Sequence, residues 1–232
     1  YELQEIITEN ELHAYVGYQF RFHPGFLHVK RLLEHQEIGE VLSAQVTWGE
    51  YLPNWHPWED YRKSYSARKD LGGGVVLTLC HPFDYLRWLL GEVTEVTAET
   101  GQSGLLDLDV EDSADVTLRF EAGYRATVHL DYLQRPTIHQ LRIVGSDGIL
   151  LWDHADGSVR WWSADSSELP TLTVPKGFDR NQLFIDEIEH FLQVISGEAE
   201  SRCSLEDGIR ALEIALAVHQ SAEHGKRIGI NR

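Results

Sequence analysis

Between Val93 and Trp162 the chain alternates apolar and polar residues with a period of two. Thr94/Val96/Ala98, Val116/Leu118/Phe120, Tyr124/Ala126/Val128/Leu130 and Leu141/Ile143 each have polar partners between them. Successive side chains of a strand point to opposite faces, so each such segment can bury only one of its faces. "EAG" at 121–123 and "SDG" at 146–148 are tight-turn signals between consecutive segments. The pattern predicts a mostly antiparallel sheet with one face buried and the other open to a site or a partner.

Helical spacing flanks this region. Leu3, Ile6 and Ile7 belong to an amphipathic helix, and Leu12 to Phe20 reads as a strand, so the opening resembles the tail of an earlier βα unit. A second helix follows Pro24, with Phe26, Leu27, Val29, Leu32 and Leu33 as its apolar face and Gly39 as its stop. Leu42, Ala44, Val46 and Trp48 mark a half-buried strand. Two helices close the chain, at 179–197 (Leu183, Phe184, Ile188, Phe191, Ile195) and 204–222 (Leu205, Ile209, Leu212, Ala215, Leu216). The predicted class is α+β: an open-faced, mostly antiparallel sheet with helices on one face, preceded by a βα remnant.

Charge narrows the function. With 37 acidic against 20 basic residues the net charge is -17, which argues against a surface that tracks nucleic-acid phosphates or an anionic membrane. No apolar run approaches the ~18–20 residues of a membrane span, and no charged-then-apolar leader is visible, so a cytoplasmic protein is expected. Two cysteines, Cys80 and Cys203, are too few for a disulfide scaffold and read as small buried hydrophobes. The twelve histidines show no metal-ligand spacing, so no metal is expected. The chain opens at Tyr1 and contains no methionine, which points to a fragment or a processed chain.

The chemistry concentrates in "DLGGGVVLTLCHPFDYLRWLLG", 70–91. A glycine run opens an apolar helix that carries His81, Pro82 and Asp84 in its middle. Proline in a helix interior costs about 3 kcal/mol. On such a helix Leu77, Asp84 and Tyr85 share the face of His81. A carboxylate there can fix the imidazole tautomer and hold its pKa near neutrality, which suits a general acid or base. The alternative is a core histidine bonded to a backbone carbonyl beside a kink. The glycines lack G-x-G-x-x-G spacing, so close backbone approach is a better reading than an anion cradle.

The loop "NWHPWEDYRKSYSARK" gathers Trp55, His56, Trp58, Tyr61, Arg62, Tyr65 and Arg68. Aromatic faces with polar heads suit a polyhydroxylated ligand, although an anchored surface loop or a dimer contact would use the same residues. Arg21 and Arg135 end strand-like segments, where arginines also simply pair with carboxylates. The expected substrate contacts are Arg21, His56, Trp58, Arg68 and Arg135.

Taken in order, "VGYQFRFHPGF", "HPWEDYR", "GGGVVLTLCHPFDYLRWLLG", "VEDSADVTLRFEAG", "HLDYLQRP", "VGSDGILLWD" and "DGIRALEIALAVHQSAEHGKRI" resemble the C-terminal part of Gfo/Idh/MocA-type oxidoreductases along nearly the whole chain. The sugar- and amino-sugar-modifying members are the most similar. The resemblance implies a two-domain NAD(P)-dependent enzyme, with residues 1–20 the tail of a truncated dinucleotide-binding domain and 21–232 the substrate domain. Neither the glycine fingerprint nor the family's E-K-P lysine is present, so NAD or NADP would be held mainly upstream and the isolated chain should be inactive. His81 falls on the family's catalytic histidine and Asp84 on the aspartate three residues later. Many members carry an aspartate four residues before that histidine, where this chain has Leu77.

The implied function is oxidation or reduction at a hydroxyl or carbonyl of a sugar, amino sugar, nucleotide sugar or cyclitol. A homodimer or homotetramer formed through the open sheet face is also implied. Two readings compete: a non-enzymatic oligomerisation or carbohydrate-binding module, and a cofactor-independent isomerase or lyase built on His81 and the aromatic loop.

Overall fold

A computed structural model describes residues 2–164 and 170–230. Its centre is a nine-stranded sheet of order β8-β7-β6-β5-β1-β4-β3-β2-β9. The strands are β1 (Val41–Gly49), β2 (Val93–Gly101), β3 (Ser113–Phe120), β4 (Arg125–Asp131), β5 (Ile138–Gly145), β6 (Gly148–Asp153), β7 (Val159–Ser163), β8 (Thr171–Leu172) and β9 (Ile228–Gly229). Period-2 alternation produces the predicted meander, with tight turns at 121–124 and 146–147. The sequence did not show that β1 inserts between β4 and β5, pairing parallel with the first and antiparallel with the second.

Among the described residues six α-helices accompany the sheet: α1 (Glu2–Glu9), α2 (Pro24–Glu34), α3 (Val75–Thr78), α4 (His81–Leu90), α5 (Asn181–Ile195) and α6 (Leu205–His224). The covered sheet face presents Val46, Val96, Val116, Leu118, Val128, Leu141, Ile143 and Trp152 to a single core. Phe26 and Val29 of α2, Phe83 and Leu86 of α4, and Ile214 and Val218 of α6 complete it. The opposite face carries Gln45, Thr117, Thr127 and Arg142 and remains open to solvent. Ser204 starts α6 with a capping box: its hydroxyl accepts from the Asp207 N–H while the Asp207 carboxylate accepts from the Ser204 N–H.

Three expectations change. Leu12 to Phe20 forms no strand: residues 12–18 pair with no sheet neighbour among the described residues, and Gln19–Phe22 is a turn of 3-10 helix. A strand exists only where a partner completes its ladder, and here the Val16 N–H goes to the Cys203 carbonyl instead. The apolar stripe of the 179–197 helix is mostly unburied. Leu183, Glu187 and His190 turn inward on α5, whereas Phe184, Ile188 and Ile195 are exposed.

The third change answers the problem posed by Pro82. The segment 75–90 is two helices, broken at Leu79–Cys80, and Pro82 lies in the first turn of α4. Its missing N–H has no intrahelical partner to lose there, so the interior penalty does not apply.

Candidate functional site

The break between α3 and α4 places His81 at the start of a helix, beside a cleft of about 310 Å³. Four separate segments build that cleft. Trp48 and Glu50 come from the end of β1, Trp55, His56 and Tyr65 from the aromatic loop, Thr78, Leu79 and His81 from the helix junction, and Arg180 from the residue before α5.

The glycine run sets the junction against the loop. A Cβ on Gly73 would lie 2.2 Å from the Tyr65 carbonyl oxygen and 2.8 Å from those of Ser66 and Arg68. The Gly73 and Gly74 N–H groups donate to the Arg68 and Ser66 carbonyls at 2.9 and 3.0 Å. These donors are therefore occupied by the loop's own backbone, as the close-approach reading expected, and form no anion cradle.

Packing fixes the walls. The Trp48 indole stacks on His139, with centroids 4.1 Å apart and planes 3° from parallel. Its N–H donates to Glu50 Oε1 at 2.7 Å. Behind it, buried His139 shares a 3.1 Å hydrogen bond with the Tyr85 hydroxyl. His81 meets the edges of Tyr18 and Phe20, at 5.5 and 5.4 Å between centroids, and lies 5.7 Å from Trp48. Its Nδ1 is buried without a hydrogen-bond partner among the described residues, which leaves Nε2 as the nitrogen available to a ligand. Burial, assisted by the charge of Arg180, lowers the His81 pKa to about 4, so the ring is neutral at pH 7.

Asp84 does not face His81. Its carboxylate is gripped by Arg21, with Nε to Oδ2 at 3.1 Å and Nη2 to Oδ1 at 2.6 Å, and both side chains are almost fully buried. The same guanidinium lies 3.2 Å from Asp207, which also binds Arg87 at 2.6 Å. Burial pushes the Asp84 carboxyl up to about 6 against the pull of Arg21. The expectation that a carboxylate one turn away tunes the imidazole is thus corrected: on the first turns of α4, Asp84 points to a cation 63 residues upstream. Arg21 is equally out of reach of a ligand.

Of the other predicted contacts, His56 lines the cleft. Trp58 stands beside His56 at 5.3 Å but is 75% exposed and outside the lining. Arg68 pairs with Asp70 at 2.5 Å, and Arg135 stacks on the Tyr51 ring at 4.0 Å. Neither belongs to the lining. Sequence reasoning missed Glu50 and Arg180. Glu50 had a faint signal, a carboxylate at the end of a strand, whereas Arg180 had none, because nothing local ties it to His81.

The cleft is at the small end of ligand sites, which run from about 300 to 1,000 Å³. Among the described residues no glycine-fingerprinted strand–turn–helix offers N–H groups to a pyrophosphate, and no group of side chains could hold a metal ion. The described residues form no site for the phosphates of a nicotinamide dinucleotide.

The inositol 2-dehydrogenase of Rhizobium meliloti (strain 1021) is 26% identical over 97% of this chain and 68% of its own length. The uncharacterized oxidoreductase YrbE of Bacillus subtilis (strain 168) is 28% identical over 93% of this chain and 62% of its own. A levoglucosan dehydrogenase solved in complex with NADH and levoglucosan shares the fold, with a TM-score of 0.85 at 19% identity over 95% of this chain and 67% of its own. The chain thus spans about two thirds of the length of the relatives it matches. The family model described as the GFO/IDH/MocA C-terminal domain matches residues 26–151, more than half of the chain, and it is to this family that the chain belongs.

Proposed function

We propose that this chain is the substrate-binding and proton-transfer half of an NAD(P)-dependent oxidoreductase acting on a hydroxyl or carbonyl of a sugar, amino sugar, nucleotide sugar or cyclitol. The observation that carries this reading is a neutral imidazole with one available nitrogen, set in the wall of an aromatic cleft of single-sugar size. Inositol and levoglucosan, named for two relatives, are polyols of that size.

Trp48, held in place by Glu50 and His139, forms part of the apolar wall of the cleft. His81 Nε2 accepts the proton of the reacting hydroxyl and returns it in the reverse direction. A nicotinamide, when bound, supplies the hydride acceptor. A positioned acid or base of this kind contributes roughly 10²–10⁴-fold. In the full-length protein that carries this chain, His81→Ala lowers turnover by that factor with the fold intact. The acid limb of kcat/KM falls near pH 4, because protonation of His81 removes the acceptor. Turnover within a few-fold of wild type in His81→Ala refutes the assignment. Titration of NADH or NADPH into the present chain, followed by tryptophan fluorescence, is expected to show no saturable binding.

Self-association through the open sheet face belongs to the same reading. One cross-strand row there runs Asp115–His129–Thr47–Gln140–Asp153, and a parallel row runs Arg119–Arg125–Ser43–Val144–Ile149. A two-fold axis through the centre of the face sets the acidic end row of one copy against the arginines of the other. Sedimentation of wild type as a monomer refutes it. Among the described residues no helix is long and apolar enough to cross a membrane.

A further inference from the structure

Arg180 enters the cleft without a carboxylate partner. Arg21, Arg62, Arg68 and Arg87 each hold an acidic side chain within 4 Å. No acidic side chain among the described residues comes that close to Arg180, whose guanidinium lies only over the Phe184 ring at 5.9 Å. From the geometry we infer that the substrate of this cleft carries an anionic substituent, a carboxylate or a phosphate, which Arg180 binds. The inference rests on the oxidoreductase reading of the cleft and extends it to a substrate class.

Three further features support it. The position is built into the lining: Arg180 shares the cleft with Trp48, His56, Tyr65 and His81. Burial is the main cause of the lowered pKa of His81, and the charge of Arg180 adds to it. The one carboxylate in the same lining, Glu50, accepts the Trp48 indole N–H at 2.7 Å and lies beyond ion-pairing distance of Arg180. A guanidinium offers a planar fork that matches carboxylate or phosphate oxygens in a bidentate pair, while a neutral hydroxyl uses one N–H only. In a chain of net charge -17, an uncompensated cation at the mouth of a cleft also draws anions there ahead of the rest of the surface.

The test measures affinities for two matched pairs, D-glucuronate against D-glucose and glucose 6-phosphate against D-glucose, by quenching of the cleft tryptophans. Wild type and Arg180→Gln are compared. Charge-assisted bonds predict that one anionic sugar binds wild type roughly 10–100-fold more tightly than its neutral parent. In Arg180→Gln that ratio is expected to fall to near one. Preference for glucuronate identifies a carboxylate, and preference for the 6-phosphate a phosphate. Equal binding of neutral and anionic sugars, or a ratio that survives in Arg180→Gln, overturns the inference and leaves the sugar cleft standing. No quenching by any of the three sugars also overturns the inference, and the oxidoreductase reading is then decided by His81→Ala. Arg180 is exposed, and circular dichroism checks that Arg180→Gln is folded.

Discussion

Asp84→Ala is expected to destabilise the chain by about 3–5 kcal/mol. The aspartate side chain is 1% exposed and the Arg21 side chain 3%, and the two make a bidentate pair at 2.6 and 3.1 Å. Truncating the carboxylate leaves a guanidinium buried with Asp207 at 3.2 Å, itself shared with Arg87. Removing one partner of a buried pair costs about 3–5 kcal/mol, because the remaining charge has lost its hydration as well as its counter-ion. For a chain of this size 1 kcal/mol moves Tm by about 2–4 °C, so the melting point falls by roughly 6–20 °C.

The double variant Asp84→Leu/Arg21→Met removes both charges and should be more stable than Asp84→Ala alone. Replacing a buried pair by apolar side chains leaves no uncompensated ion. Thermal and urea unfolding followed by circular dichroism measure both quantities. Asp84→Ala within 1 kcal/mol of wild type refutes the reasoning, as does a double variant less stable than the single one. The same experiment separates two roles for Asp84, because a residue needed mainly for catalysis would leave the melting point alone.

Other consequences are as direct. His129 bridges Asp115 at 2.8 Å and Asp131 at 3.1 Å, and the Asp131 hydrogen bond in particular raises its pKa to about 9 against the opposing effect of burial. The folded value lies above the ordinary 6.5, so this stabilisation is complete below pH 6.5 and is lost as pH rises through about 9. The side chain is 39% exposed, which reduces the effect by screening to about 1 kcal/mol. The urea midpoint of wild type should therefore fall more than that of His129→Gln between pH 6 and pH 10, and parallel shifts would exclude the bridge. Gly73→Ala drives a methyl into three backbone carbonyls of the aromatic loop and should cost about 1–3 kcal/mol while altering tryptophan fluorescence. A variant as stable as wild type would show that the loop is not held by this contact.

Local patterning was enough for most of the architecture. Strand periodicity, two turn signals and helical spacing are properties of neighbouring residues, and they are sufficient to specify the meander, α2, α6 and an open sheet face. His81, singled out as a histidine in the middle of an apolar segment behind a glycine run, lines the cleft. His56, expected as a polar head in the aromatic loop, lines the cleft as well.

What the sequence could not supply depends on residues far apart in the chain meeting in space. The insertion of β1 between β4 and β5 is a pairing choice made across some 80 to 100 residues. Asp84 looked like a partner for His81 because they are one helical turn apart, yet a buried carboxylate takes the strongest donor available, and that is Arg21. Pro82 looked like an interruption until the helix proved to begin beside it. The cleft joins four segments, and Arg180 gains its meaning only because the packing of α5 against the turn at Gln19–Phe22 brings its N-terminus to His81. Periodicity decides which face of an element is buried. Tertiary packing alone decides which charges and rings come to share a cavity, because that choice is made by desolvation and geometry among groups with no proximity in sequence.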